Sequence, residues 1–154
     1  MSFIKTLKTA TVVAALLFAT DLHAAQYLER TPRQNERAFS PAVITEGGKL
    51  IWLAGHCGLV EEEGKSNAGN FESQAREAFA AIEKTLKRAG GSLENIVYMT
   101  VFIKDVRHGE DFVKIRREMF SKGNFPGSTL VTITGFSRPG MLLEIAPIAV
   151  IDAK

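Results

Sequence analysis

Glu144 is set apart by its surroundings. It lies in the run Met141-Leu142-Leu143-Glu144-Ile145-Ala146-Pro147-Ile148-Ala149-Val150 and is the only ionisable group between Arg138 and Asp152. A carboxylate among strand-forming apolar residues is unfavourable unless it is paired, hydrated at a pocket mouth or used. Held within reach of water, it can accept a proton as that water attacks an electrophilic carbon, and return it to a leaving group. The residues alone leave a second reading open, a strand-end carboxylate paired with a lysine or arginine.

Other reactive side chains form weaker constellations. His56 and Cys57 are adjacent, and neighbours on a strand point to opposite faces, so they cannot act as a base and nucleophile pair. His56 ends an apolar run, and Cys57 reads as a small packed residue. The histidines and the single cysteine show no Cys-x-x-Cys or His-x-x-x-His spacing, so no metal site is expected. Ser128 and Thr129 follow Pro126-Gly127, where hydroxyls usually satisfy backbone groups. A hydrolase built from Ser128, His56 and Glu144 would lack the Gly-x-Ser-x-Gly elbow. Gly90-Gly91 follows a helical pattern and reads as its stop, not as a phosphate loop.

The elements that would carry these residues follow from periodicity. Ala75, Ala78, Phe79, Ile82, Leu86 and Ala89 recur at helical spacing between a capping Asn70 and Gly90-Gly91. A second amphipathic helix is predicted from Glu110 to Ser121, with Phe112, Ile115, Met119 and Phe120 on its apolar side. Val97 to Lys104, Leu130 to Phe136 and Met141 to Ile151 read as strands. Ala42 to Thr45 and Leu50 to Ala54 read as a hairpin around Glu46-Gly47-Gly48-Lys49. Gln26 to Arg37 shows no periodicity and reads as an extended arm, and Gly55 to Asn70, with Glu61 to Glu63, as a loop. The order β-β-α-β-α-β-β predicts an α+β domain whose mixed sheet is covered by two helices on one face. Several strands are apolar at consecutive positions, so a second copy of the chain is the expected cover for the other face.

The first residues have a different character. Lys5 and Lys8, the apolar stretch Thr11 to Phe18 and the end Leu22-His23-Ala24 give the order of a secretory signal peptide, residues 1–24, followed by the arm 25–37 and the domain 38–154. The apolar stretch is well short of the roughly 20 residues of a spanning helix, so no lasting membrane anchor is expected. The location predicted is outside the cytoplasm, periplasmic or secreted. Loss of Lys5, Lys8 and Asp21 from 19 basic and 17 acidic residues leaves 17 and 16, a formal charge of +1. That balance provides no strong pull towards nucleic acid. Cys57 has no intramolecular disulfide partner, so stability must come from packing or assembly.

Taken together, Phe39-Ser40-Pro41-Ala42-Val43, Ala54-Gly55-His56, the helix Gln74 to Ala89 with Gly90-Gly91-Ser92-Leu93-Glu94-Asn95-Ile96-Val97, Val101-Phe102-Ile103-Lys104-Asp105, Phe125-Pro126 and Arg138-Pro139-Gly140-Met141-Leu142-Leu143-Glu144-Ile145 are similar to the reactive-intermediate deaminase family, RidA or YjgF. The resemblance covers about residues 38 to 151. It implies a chorismate-mutase-like fold, a homotrimer with pockets between subunits, and cofactor-free hydrolysis of small enamines and imines to ammonia and a keto compound. It implies Glu144 as the group that handles water and protons, Phe39 where the family often has tyrosine, and His56 as a pocket-lining residue, at the strand end where the family usually has a polar one. Ser128 stands where deaminase members have the arginine that grips the substrate carboxylate. A guanidinium offers a charged fork and a serine one neutral hydroxyl, so the expected substrate preference is atypical. Arg138, from another loop, is the candidate to stand in for it. A non-catalytic trimer that binds a small ligand or protects proteins is the alternative.

Overall fold

Strand β4, Ile96–Ile103, is where the alternation of side chains decides the architecture. Met99, Val101 and Ile103 point to one face and are fully or almost fully buried, while Tyr98, Thr100 and Phe102 point to the other and retain exposure. The computed structural model describes residues 25–60 and 63–152. The proposed leader, 1–24, therefore lies outside the described residues.

In chain order the regular elements are β1 (Ala25–Tyr27), α1 (Pro32–Glu36), β2 (Val43–Thr45), β3 (Lys49–Trp52), α2 (Phe71–Ala89), β4, α3 (Gly109–Met119), β5 (Gly127–Thr132) and β6 (Leu143–Ile151). A mixed four-stranded sheet has the order β3-β6-β4-β5, with β4 and β5 parallel and the other neighbours antiparallel. This is the α+β fold expected from the sequence. Helices α2 and α3 cover one face of it. From α2 come Phe71, Ala75, Ala78, Phe79, Ile82 and Leu86, and from α3 Phe112 and Ile115; they close over Met99, Val101, Leu143, Ile145 and Ala149. Phe79 anchors the junction, with Phe112 at 6.0 Å and Phe120 edge-on at 6.1 Å between ring centroids.

The expected cap of α2 is present: Asn70 Oδ1 accepts from the Ser73 amide at 3.0 Å, and Gly90 ends the helix at a left-handed φ of 90°. Two local expectations are corrected. The arm is not uniformly extended, because Thr31 and Gln34 form a reciprocal cap that, with Pro32 in the first turn, starts the short helix α1. The segments around Gly47-Gly48 turn as expected, at φ 67° and 75°, but they do not pair with each other as a hairpin. Instead β2 pairs with β1, and β3 adds to β6, whose edge offers a longer ladder.

The sheet's other face stays partly open. Leu50 and Trp52 of β3, 51% and 73% exposed, pair with Val150 and Ile148 and so share that face with Tyr98, Phe102 and Glu144. Its far end is covered by β1 and β2, where Ala25 and Val43 pack on Val97, Ile148 and Val150.

Candidate functional site

Glu144 is placed by the ladder between β6 and β4, opposite Phe102. It is half-buried on the open face, and among the described residues no hydrogen bond or ion pair holds its carboxylate. The reading of Glu144 as a structural ion pair therefore finds no partner among the described residues. Gly55 makes room for it: a Cβ there would fall 2.3 Å from Glu144 Oε1 and 2.7 Å from its carboxyl carbon. Only a glycine allows the carboxylate to lie against this backbone.

His56 comes next to that contact, locked to β6 by two backbone hydrogen bonds of 2.9 Å with Ile145. Its Nδ1 lies 2.8 Å from the Ala54 carbonyl. A carbonyl only accepts, so Nδ1 carries a proton and Nε2 is the acceptor of the neutral ring. Arg138 Nη2 lies 3.2 Å from the Cys57 sulfur. Thus His56, Cys57, Arg138 and Glu144 gather where the chain leaving β3 meets the start of β6.

Gln74 fixes the loops of this cluster. Its fully buried amide donates to the carbonyls of Asn67 and Gly140, both at 2.8 Å, and accepts from the Leu142 amide at 2.9 Å. One helical side chain so joins the loop after Cys57 to the loop that carries Arg138 into β6.

Phe39 and Ser128 lie elsewhere. Both line a cavity of about 380 Å³ together with Val43, Tyr98, Thr129 and Ile148, and Glu144 is not among its walls. Ser128 pairs with Met99 and Glu144 with Phe102, positions of opposite parity on β4, so their side chains leave opposite faces of the sheet. One chain therefore holds its candidates in two places, Glu144 against Gly55 with Arg138 at the nearby Cys57, and Phe39 with Ser128 at the cavity, while His56, paired with Ile145, leaves by the face opposite to Glu144. This geometry also separates the three members of the serine hydrolase reading.

Arg138, the sequence's candidate for the missing arginine, belongs with Cys57 and not with Ser128. Another arginine reaches Ser128. Arg116 of α3 is 3% exposed, donates through Nη1 to Ser128 Oγ and through Nη2 to the Arg37 carbonyl at 2.7 Å. Burial, reinforced by the nearby Arg37 and Arg117, pushes its guanidinium down to about 10. It remains protonated at neutral pH. The sequence carried a signal for it, because Phe112, Ile115, Arg116 and Met119 form one helical stripe, and an arginine inside an apolar stripe is anomalous.

Two helices over a mixed sheet, with a carboxylate on the uncovered face that has no partner among the described residues and an aromatic-lined cavity at its end, define an α+β domain whose candidate residues lie in two places. The family described as endoribonuclease L-PSP matches residues 29–151, and the chain belongs to this family, which includes RidA and YjgF. It is 26% identical over 112 residues to the human 2-iminobutanoate/2-iminopropanoate deaminase, covering 73% of this chain and 79% of that protein. It is 31% identical over 115 residues to the RutC family protein YjgH of Escherichia coli K12, covering 74% and 83%. The solved structure of a Rid-family protein of unknown function, YyfB from Yersinia pestis, superposes with a TM-score of 0.75 at 15% identity, over 84% of this chain and all of the other.

Proposed function

We propose that this protein hydrolyses small reactive enamines or imines, releasing ammonia, at pockets formed between the subunits of a homotrimer. The observation that carries this reading is the Glu144 carboxylate, held against Gly55 with no partner among the described residues. The relative named as an iminobutanoate and iminopropanoate deaminase supports the choice of substrate class. Phe39 and the cavity beside Ser128 would come from one subunit and Glu144 from the next, which is how two places separated along one chain become one site.

The chemistry is balanced by water alone. The Glu144 carboxylate takes a proton from water as the oxygen bonds to the C=N carbon and passes it to the nitrogen, giving a carbinolamine. It then takes the carbinolamine's hydroxyl proton and delivers it to the nitrogen as the C–N bond breaks, so that ammonia leaves and a carbonyl remains. Glu144→Gln fills the same space and cannot take that proton, so ammonia release from 2-iminopropanoate generated in situ should fall at least a hundredfold with the oligomer unchanged. Loss of the oligomer along with activity would make Glu144 structural and overturn the assignment.

A second reading, a ligand-binding trimer without turnover, draws on Ser128, which leaves β5 without a charged group for substrate. It predicts saturable binding of small carbonyl compounds with no ammonia released by wild type. Export belongs to the proposal too, on the basic start, short apolar run and small-residue end of residues 1–24. N-terminal sequencing of protein from its native host should begin near Ala25, and Met1 or Ser2 at the terminus would sink it.

A further inference from the structure

Tyr98 is aimed by its backbone. Where β4 moves two residues, from Ile96 to Tyr98, its partner β6 moves only one, from Ala149 to Ile148. Such a bulge breaks the alternation of side chains, so Val97 and Tyr98 both reach the uncovered side, where Val97 packs with Val43, Ile148 and Val150. The Tyr98 ring then lies across β5. At Gly127, its partner in the parallel ladder, an added Cβ would fall 3.1 Å from Tyr98 Cδ2, closer than two carbons settle. The hydroxyl at the end of the ring meets Thr129 Oγ1 at 2.6 Å. A tie between strands accounts for that bond alone, and β4 and β5 are already joined along the ladder from Tyr98 and Gly127 to Ile103 and Thr132. It gives no reason for the bulge or for the missing side chain of Gly127.

Tyr98 and Thr129 are both walls of the cavity of about 380 Å³ that Phe39 lines. In a pair of hydroxyls one donates and the other accepts, so one of the two hydrogens stays outside the pair. No acceptor among the described residues takes it. The hydroxyls of Ser40 and Ser128 are occupied: Ser40 donates to the Phe125 carbonyl, and Ser128, turned to the helix-covered face, accepts from Arg116. Most other walls, among them Val43, Leu50, Val97 and Ile148, are apolar, and no cationic or anionic side chain lines the cavity. A charged ligand would leave water there without a counter-charge, whereas a carbonyl oxygen or an imine nitrogen needs only one donor.

We propose that the Tyr98 and Thr129 pair makes this cavity select an uncharged ligand, a small ketone, aldehyde or imine with an apolar chain, by donating a hydrogen bond to its carbonyl oxygen or imine nitrogen. Tyr98 is on this account a specificity-determining residue, whose ring Gly127 admits and whose hydroxyl Thr129 holds. The proposal rests on the reading that this cavity receives the substrate, and it does not require that the ligand be hydrolysed.

Benzylacetone and hydrocinnamate, which carries a carboxylate in place of the acetyl group, are the probes, titrated into the full protein and followed by chemical-shift changes. Wild type should bind the ketone about tenfold or more tightly than the carboxylate, because the carboxylate would be desolvated without a partner. Tyr98→Phe keeps the ring over Gly127 and removes the hydroxyl. Ketone binding should then weaken about fivefold, the scale of one neutral hydrogen bond, with carboxylate binding unchanged within about twofold. Adding Thr129→Val to Tyr98→Phe should weaken ketone binding by less than about a further twofold, since the two hydroxyls act as a unit. No measurable ketone binding by wild type, a carboxylate bound as tightly as the ketone, or ketone binding undiminished in Tyr98→Phe would overturn the proposal. An additional loss of about fivefold from Thr129→Val would overturn the pair as its carrier. Ammonia release from 2-iminopropanoate measured in parallel separates the two readings: the ketone preference without ammonia sinks the hydrolytic reading alone, and ammonia release without the preference sinks this one alone.

Discussion

Two side chains in this protein, Glu144 on the open face and Arg116 in the core, have backbone and neighbours shaped around them. For Glu144 the shaping is the absent side chain of Gly55. An added Cβ would meet the far end of a flexible carboxylate at 2.3 Å, which the glutamate can avoid by rotating away. Gly55→Ala should therefore displace the carboxylate without disturbing the ladder beneath it. The expected result is a loss of turnover of about tenfold or more, on the logic that a small misplacement of a catalytic group is enough, with thermal stability close to wild type. A large fall in stability with turnover intact would show that Gly55 serves packing instead. Arg116 was readable in the sequence only as an anomaly, an arginine at the spacing of Phe112 and Ile115. Its partner Ser128 lies beyond the helix end, the Gly123 turn and Phe125-Pro126, and no local pattern links the two positions.

At the scale of elements, what the sequence revealed was whatever depends on local chemistry. The Asn70 cap, the Gly90 stop and the 3.6-residue stripe of α2 are properties of contiguous residues, and all three are as expected. The hairpin around Gly47-Gly48 was misread because its turn is local and its partners are not: β1 and β6 compete for the two strands from distant positions. The division of the site was hidden for the same reason. Alternation gives the face of each residue within its strand, but only the register of β4 against β5 and β6 shows that Ser128 and Glu144 leave opposite sides. Gln74 is the element-level device that sequence reasoning passed over, a polar residue on the buried side of α2 whose three hydrogen bonds hold two loops. Gln74→Leu would leave the Leu142 amide without a partner and take from the Asn67 and Gly140 carbonyls one of two donors each, the Asn70 and Gly69 amides remaining. One such orphan costs roughly 1 to 3 kcal/mol, and a loss of that size in urea denaturation is expected. A loss under about 1 kcal/mol would mean that water replaces the amide and that the loops are held otherwise.

For the whole molecule, the uncovered face of the sheet is the feature that one chain does not explain. Leu50, Trp52 and Tyr98 stay exposed there while the helix-covered face is sealed, and Glu144 opens onto the same side. Contiguous exposed apolar residues of this size usually meet a partner. Closed symmetry among identical chains is the commonest way to supply one, and in the proposed trimer it would also complete each divided site. If this face is the subunit interface, placing charge on it should dissociate the assembly without unfolding the chain, because the side chains of Leu50 and Trp52 lie outside the helix-covered core. The double variant Leu50→Lys with Trp52→Lys should sediment as a monomer at micromolar concentration, with the circular dichroism of wild type. Its ammonia release should vanish, since Glu144 and the Ser128 cavity would no longer meet. A wild-type protein that is itself monomeric, or a double variant that stays assembled and active, would place the missing half of the site within a single chain and refute the shared-pocket account.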